Sequence, residues 1–272
     1  MIFLTSRAWR VMAAAGGALS MAFVLAFLLT PDASADVSTI NSAIVSRRFI
    51  DIPTATFADT NSYPSISLKE SGVSASTGFS NQDIWQFSNN GGVSAYQFQN
   101  GDYFQASFDL SMDVNPDSPR KAAGFLFQIA NEGDLEFEVT SDSKEVIQFG
   151  GISAYSFTLN NGINYNLGQT IQLGLDYFQD SNGKNALQFF ANGTASPIFE
   201  FGPTVGTGAL DIGNGSTLGG FFQVVNDPFS PGNGGTAVFS NISISGIAAT
   251  PEPSALVLLA SGFLGLILIT RR

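Results

Sequence analysis

The chain of 272 residues has no cysteine and no histidine. Without cysteine, no disulfide can staple a domain and no thiolate can act as nucleophile or ligand. Without histidine, neither a Ser-His-Asp triad nor a histidine-ligated metal centre can be assembled. Tryptophan is reduced to two residues, and basic residues number 11 against 22 acidic ones. Between Asp36 and Glu252 the balance is steeper, 21 acidic to 7 basic, a charge of about −14. Nucleic acid is therefore disfavoured as a partner, since its affinity comes largely from lysine and arginine meeting phosphate. The same charge suits solubility outside a cell. Helical periodicity is also missing between residues 36 and 248. Short alternating runs, Asn/Gly turns and most of the 25 phenylalanines fill that stretch instead.

The two ends read differently. Arg7 and Arg10 precede an apolar run from Val11 to Leu29, and Ala33-Ser34-Ala35 is a small-x-small cleavage site. Residues 1–35 are thus expected to be a secretory signal, with the mature chain starting at Asp36. Residues 249–272 contain Pro251-Glu252-Pro253, an uncharged apolar run and the terminal pair Arg271-Arg272. The 17 residues 254–270 would form a helix of roughly 25 Å, at the lower limit for crossing a bilayer. The proline triplet marks where that helix must start, and the arginines stop it on the cytoplasmic side. This tail resembles the PEP-CTERM sorting signal of Gram-negative, exopolysaccharide-producing bacteria. The resemblance implies an exosortase as partner, an inner-membrane-anchored precursor, and release to the cell surface or extracellular matrix.

Between the ends, residues 36–62 are a polar lead-in with room for an edge strand. Residues 63–248 predict an all-β domain, an antiparallel sandwich or jelly roll, from strands of five to nine residues separated by Gly/Asn turns. The run Phe104-Gln105-Ala106-Ser107-Phe108-Asp109-Leu110-Ser111-Met112 alternates without a break, so one face meets a core and one meets water. Ala122–Ala130 is almost continuously apolar and predicts a strand covered on both sides. In 134–140, Leu135, Phe137 and Val139 point inward, with Asp134, Glu136 and Glu138 outward into solvent. Further strands are expected at 146–149, 152–159, 170–178, 186–191, 198–201, 218–225 and 237–246. Turns are expected at Asn89–Gly92, Asn160–Gly162, Asp180–Gly183 and Asn192-Gly193. No fixed-period repeat is present, which argues against a solenoid or propeller.

Two stretches, Leu167–Gly193 and Val238–Ile244, resemble the concanavalin A-like lectin/glucanase sandwich, the first through a hairpin like that of laminin-G-like jelly rolls. The resemblance spans about residues 80–247 and implies a fold, not an activity. Within that frame, Glu132-Gly133-Asp134-Leu135-Glu136 resembles the catalytic run of laminarinase-like glycoside hydrolases. Carried over, Glu132 would be nucleophile, Glu136 acid/base, and Asp134 the residue that tunes them. Alternation places the three on one face. A retaining mechanism needs two carboxyls about 5–5.5 Å apart, so the two glutamates would have to lean together. Gly133 stands where that family has an apolar residue, only Trp85 remains to stack on sugar, and the acidic run continues to Glu138. The reading carried forward is a solvated acidic face on a non-catalytic, glycan-associating module, with catalysis as the alternative. Asp113, Asn115 and Asp117, and separately Asp176, Asp180 and Asn182, offer oxygen spacings suited to Ca²⁺; a Ca²⁺-dependent adhesion module is the second alternative. Turn chemistry accounts for the same residues. Tyr96, Tyr103, Tyr155 and Tyr165 are candidates for stacking on sugar rings, and extracellular polysaccharide is the expected ligand.

Overall fold

A computed structural model describes residues 37–99, 101–130, 133–200 and 215–246, where strands dominate. The signal segment with Ala33 and Ala35, the sorting motif Pro251-Glu252-Pro253 with Arg271 and Arg272, and Glu132 all lie outside the described residues. Among the described residues no helix is long and apolar enough to cross a membrane.

The strands in chain order are β1 (Ser42–Ile50), β2 (Thr56–Ser62), β3 (Ser65–Ser71), β4 (Ser80–Ser88), β5 (Phe104–Asn115), β6 (Lys121–Ile129), β7 (Gly133–Thr140) and β8 (Val146–Phe149), then β9 (Tyr155–Ser156), β10 (Ile171–Gln179), β11 (Asn185–Ala191), β12 (Thr194–Ala195), β13 (Phe199–Glu200), β14 (Thr217–Val225) and β15 (Gly234–Gly246). They form two antiparallel sheets, a β-sandwich of jelly-roll type. The first sheet runs β1-β4-β14-β6-β7-β8-β9 and the second β12-β11-β10-β5-β15-β3-β2, with β13 added beside β11. The lead-in from Ser42 to Ser62 belongs to the sandwich, giving β1 to the edge of the first sheet and β2 to the edge of the second.

The core follows from alternation. On β5, Phe104, Ala106, Phe108, Leu110 and Met112 are buried, while Gln105 and Asp113 are exposed. They meet the inward residues of the other sheet. Phe108 lies 4.1 Å from Phe125 of β6 by ring centroids, and Trp85 of β4 packs edge-on against Phe108 and Phe239. Each fully buried phenylalanine contributes about 1.5–3 kcal/mol, so this layer replaces what disulfides would supply. Gly220 lets Trp85 in: a Cβ there would sit 2.4 Å from the indole Nε1.

One expected strand is not formed over its length. Residues 152–159 give only the two-residue β9, followed by the short helix α1 (Phe157–Asn161). The Ser156 hydroxyl accepts from Leu159 N–H as N-cap, and Gly162 closes the helix at φ 70°. These two caps outweigh a short alternation that would have buried Leu159, which is instead 83 % exposed.

β1 carries a bulge. Arg47 pairs with Asp83 and Phe49 with Gln82, so Arg48 is the extra residue. The two neighbouring arginines point to opposite faces of the sheet. Arg47 turns between the sheets, ion-paired with Glu70 and with Asp83 at 3.1 Å. Both carboxyls are fully buried, and Glu70 Oε2 and Asp83 Oδ2 have no other partner. Burial, reinforced by the charge of Glu70, pushes Asp83 up to about 8. The guanidinium between the two carboxyls, whose proton affinity burial raises, makes the group tolerable inside the sandwich.

At the opposite end of the described chain, Gly246 closes β15 against Val37, which is buried. The first and last described residues therefore lie side by side.

Candidate functional site

The face of the first sheet turned away from the core holds the candidate site. Register places Gln82, Ile84 and Gln86 of β4, Phe221 and Gln223 of β14, Ala122, Leu126 and Gln128 of β6, and Asp134, Glu136 and Glu138 of β7 on this face. Ile84, Ala122, Leu126 and Phe221 form an apolar floor that is almost wholly buried although it faces away from the core.

Hydrogen bonds across the sheet explain that burial. Arg48 donates to Gln82 Oε1 at 2.9 Å and forms an ion pair with Asp134. Gln82 Nε2 in turn donates to Glu136 Oε1 at 3.4 Å. Arg48 and Asp134 stand on strands four positions apart, roughly 19 Å along a sheet at ~4.8 Å per strand. Two side chains cannot span that distance over a flat surface, so the sheet curls around this face into a groove. The Asp134–Arg48–Gln82–Glu136 chain bridges the groove and covers its floor. A second polar cluster joins Gln86 Nε2 to Gln128 Oε1 at 2.8 Å and to Thr217 Oγ1 at 2.6 Å.

Beside the bridge is a cavity of about 310 Å³, lined by Phe79, Arg120, Glu136, Glu138, Phe149 and Gln223 among others. Phe79 is 65 % exposed and Phe149 36 %. Glu136 and Glu138 alternate on one strand, so their Cα atoms lie about 6–7 Å apart. Burial raises both above the ordinary carboxylate range, with Glu138 pushed up to about 8 by burial and then by the charge of Glu136. Glu138 is therefore largely neutral at pH 7, and the expectation that it faces solvent is corrected: only 2 % of it is exposed. The curl of the sheet is the reason. Arg120, the one cation lining the cavity among the described residues, is paired with Asp142 at 3.3 Å.

Of the carboxylate run, Asp134 and Glu136 lie in this groove, Asp134 is ion-paired with Arg48, and Glu132 lies outside the described residues. The stacking candidates fare differently. Tyr96, Tyr103 and Tyr165 are buried, and only Tyr155 is partly exposed. Tyr165 is held inside because its hydroxyl accepts from Met112 N–H. The exposed aromatics on the groove are Phe79 and Phe149. Of the Ca²⁺ candidates, Asp113 and Asn115 sit on exposed positions of β5, and Asp117 follows in the loop. Asp176 accepts from Gln105, and Asp180 accepts from Asn182 and Lys184 within its own turn. Among the described residues no three acidic side chains gather as a metal cage. Arg48, Gln82, Gln86, Gln128, Gln223 and Phe79 carried no motif in the sequence; only the strand order brings them together.

The fold is similar to that of concanavalin A-like sandwich proteins. The chain is similar to the alginate lyase from Corynebacterium sp., at 13 % identity and a TM-score of 0.52, covering 76 % of this chain and 94 % of that one. It is also similar to the endo-1,3-beta-glucanase from Streptomyces sioyaensis (10 % identity, 68 % and 77 % covered, TM-score 0.45) and to the Emp47p carbohydrate recognition domain (10 %, 76 % and 90 %, 0.40). No protein-family model and no curated protein sequence matches the chain.

Proposed function

We propose that this is an exported cell-surface or matrix protein whose sandwich holds polysaccharide in the groove of its first sheet, without turning it over. The observation that carries the reading is the groove itself. Side-chain amides and carboxyls supply hydrogen bonds for hydroxyls, and Phe79 and Phe149 offer apolar faces to sugar rings. The absence of histidine and cysteine from the chain narrows what chemistry it can perform. The signal at residues 1–35 and the tail with Pro251-Glu252-Pro253 and Arg271-Arg272 supply the export route, with exosortase as the processing partner.

Retention on immobilised polysaccharides tests the binding role. Phe79→Ala and Phe149→Ala are expected to weaken it roughly threefold to tenfold each, the worth of one aromatic contact. Binding indifferent to both changes would remove the groove from the account. A second reading, a retaining glycoside hydrolase, is favoured by the presence of two carboxyls, one neutral, in the same cavity. Release of reducing sugar that is abolished by Glu136→Gln would establish it in place of the binding role.

A further inference from the structure

We propose that the cavity beside Glu138 takes the free amine of a polysaccharide built from deacetylated amino sugars. The inference rests on the glycan-binding reading above and names the class of sugar. Its starting point is Glu138, which lines the cavity, is 2 % exposed, and has neither a hydrogen bond nor an ion pair among the described residues. Its oxygens open only onto the cavity, where few waters and the distant charge of Arg120 are all that meets them, so a carboxyl there gains from a donor held against it. A donor entering the cavity would satisfy it.

The charge of the surroundings selects the donor. Asp134 and Glu136 share the strand, and Asp142 and Glu145 follow in the next turn. Against them stand Arg48, engaged by Asp134 and Gln82, and Arg120, engaged by Asp142. No uncommitted cation among the described residues faces the cavity, so a sugar carboxylate would meet repulsion. An ammonium meets the opposite: beside it Glu138 releases its proton to solvent and accepts as a carboxylate together with Glu136, and both Arg pairs stay intact. Phe79 and Phe149 add faces that attract both the C–H side of a pyranose ring and a cation. A volume of about 310 Å³ is at the low end for small-ligand sites, so it admits a short piece of chain rather than a folded partner.

The test is titration calorimetry on the full-length protein at pH 6.5. Three oligosaccharides of equal length are compared: a fully deacetylated glucosamine oligomer, its N-acetylated counterpart and an oligouronate. The glucosamine oligomer is expected to bind at least tenfold more tightly than the N-acetylated one, with no measurable binding of the uronate. Glu138→Gln should cost the glucosamine oligomer tenfold or more and leave the N-acetylated one unchanged. Glu136→Gln provides the same contrast should the first variant fail to fold. Equal or tighter binding of the N-acetylated or uronate oligomer overturns the amine while leaving glycan binding in place. Amine binding that survives both substitutions is general attraction to an acidic protein, and it overturns the site. Failure of all three oligomers to bind removes the glycan reading and this inference with it.

Discussion

Gly220 shows how closely single positions are fitted. Its missing side chain is the space into which Trp85 and Phe239 pack, and an added Cβ would meet them at 2.4 and 2.9 Å. Gly220→Ala is expected to destabilise the protein by about 1–3 kcal/mol, the usual cost of overfilling a core. Urea denaturation followed by circular dichroism measures it. Because the clash is with the indole, and Trp85 Nε1 has no acceptor, adding Trp85→Phe should recover part of the loss. Strict additivity of the two changes would place the strain elsewhere. Legibility also differed residue by residue. The inward set of β5 could be read from alternation alone. The burial of Glu138 could not, because it depends on Phe79, Arg120, Phe149 and Gln223, from distant parts of the chain, closing around it.

Among the elements, β6 was the most transparent: an apolar run without alternation implied cover on both faces, and both are covered. One face packs on the core through Phe125 and Phe127, while Ala122 and Leu126 lie in the groove floor. The stretch 152–159 misled because Tyr155, Phe157 and Leu159 imitate a strand, and the caps at Ser156 and Gly162 act only once a helix forms. The groove was almost illegible, since its residues come from β1, β4, β14, β6 and β7 and glutamines on separate strands carry no spacing signal. The bridge across it is open to test. Arg48 and Asp134 are each about a quarter exposed, so Arg48→Ala should change stability by less than about 1 kcal/mol. It should nevertheless uncover Ile84, Leu126 and Phe221, seen as a rise in fluorescence of a dye that binds apolar surface. A large loss of stability with no rise in dye binding would mean the bridge is structural support and not a cover.

Over the whole molecule, buried titratable groups set the pH response. Asp83 and Glu138 both rise to about 8 in the folded protein from ordinary values near 4 in the unfolded chain. Between those limits the folded state holds more protons, so their contribution is complete below about pH 4 and is lost as pH climbs through 8. Lys121 acts in the other sense. Burial lowers it to about 8, so the unfolded chain binds the extra proton between 8 and 10.5, and its share of stability returns over that range. The melting temperature is therefore expected to fall from pH 5 to pH 8, with a shallower slope in Glu138→Gln. Scanning calorimetry in matched salt decides it; a melting temperature that rises across that interval would contradict the burial of these acids. The meeting of Val37 with Gly246 has a consequence for connectivity. With its two ends touching, the sandwich behaves as a nearly closed ring of chain whose opening point is incidental to the packing. A circular permutant that links Gly246 to Val37 by a few glycines and opens in the exposed Asp180–Gly183 turn is expected to refold with a melting temperature within a few degrees of the parent.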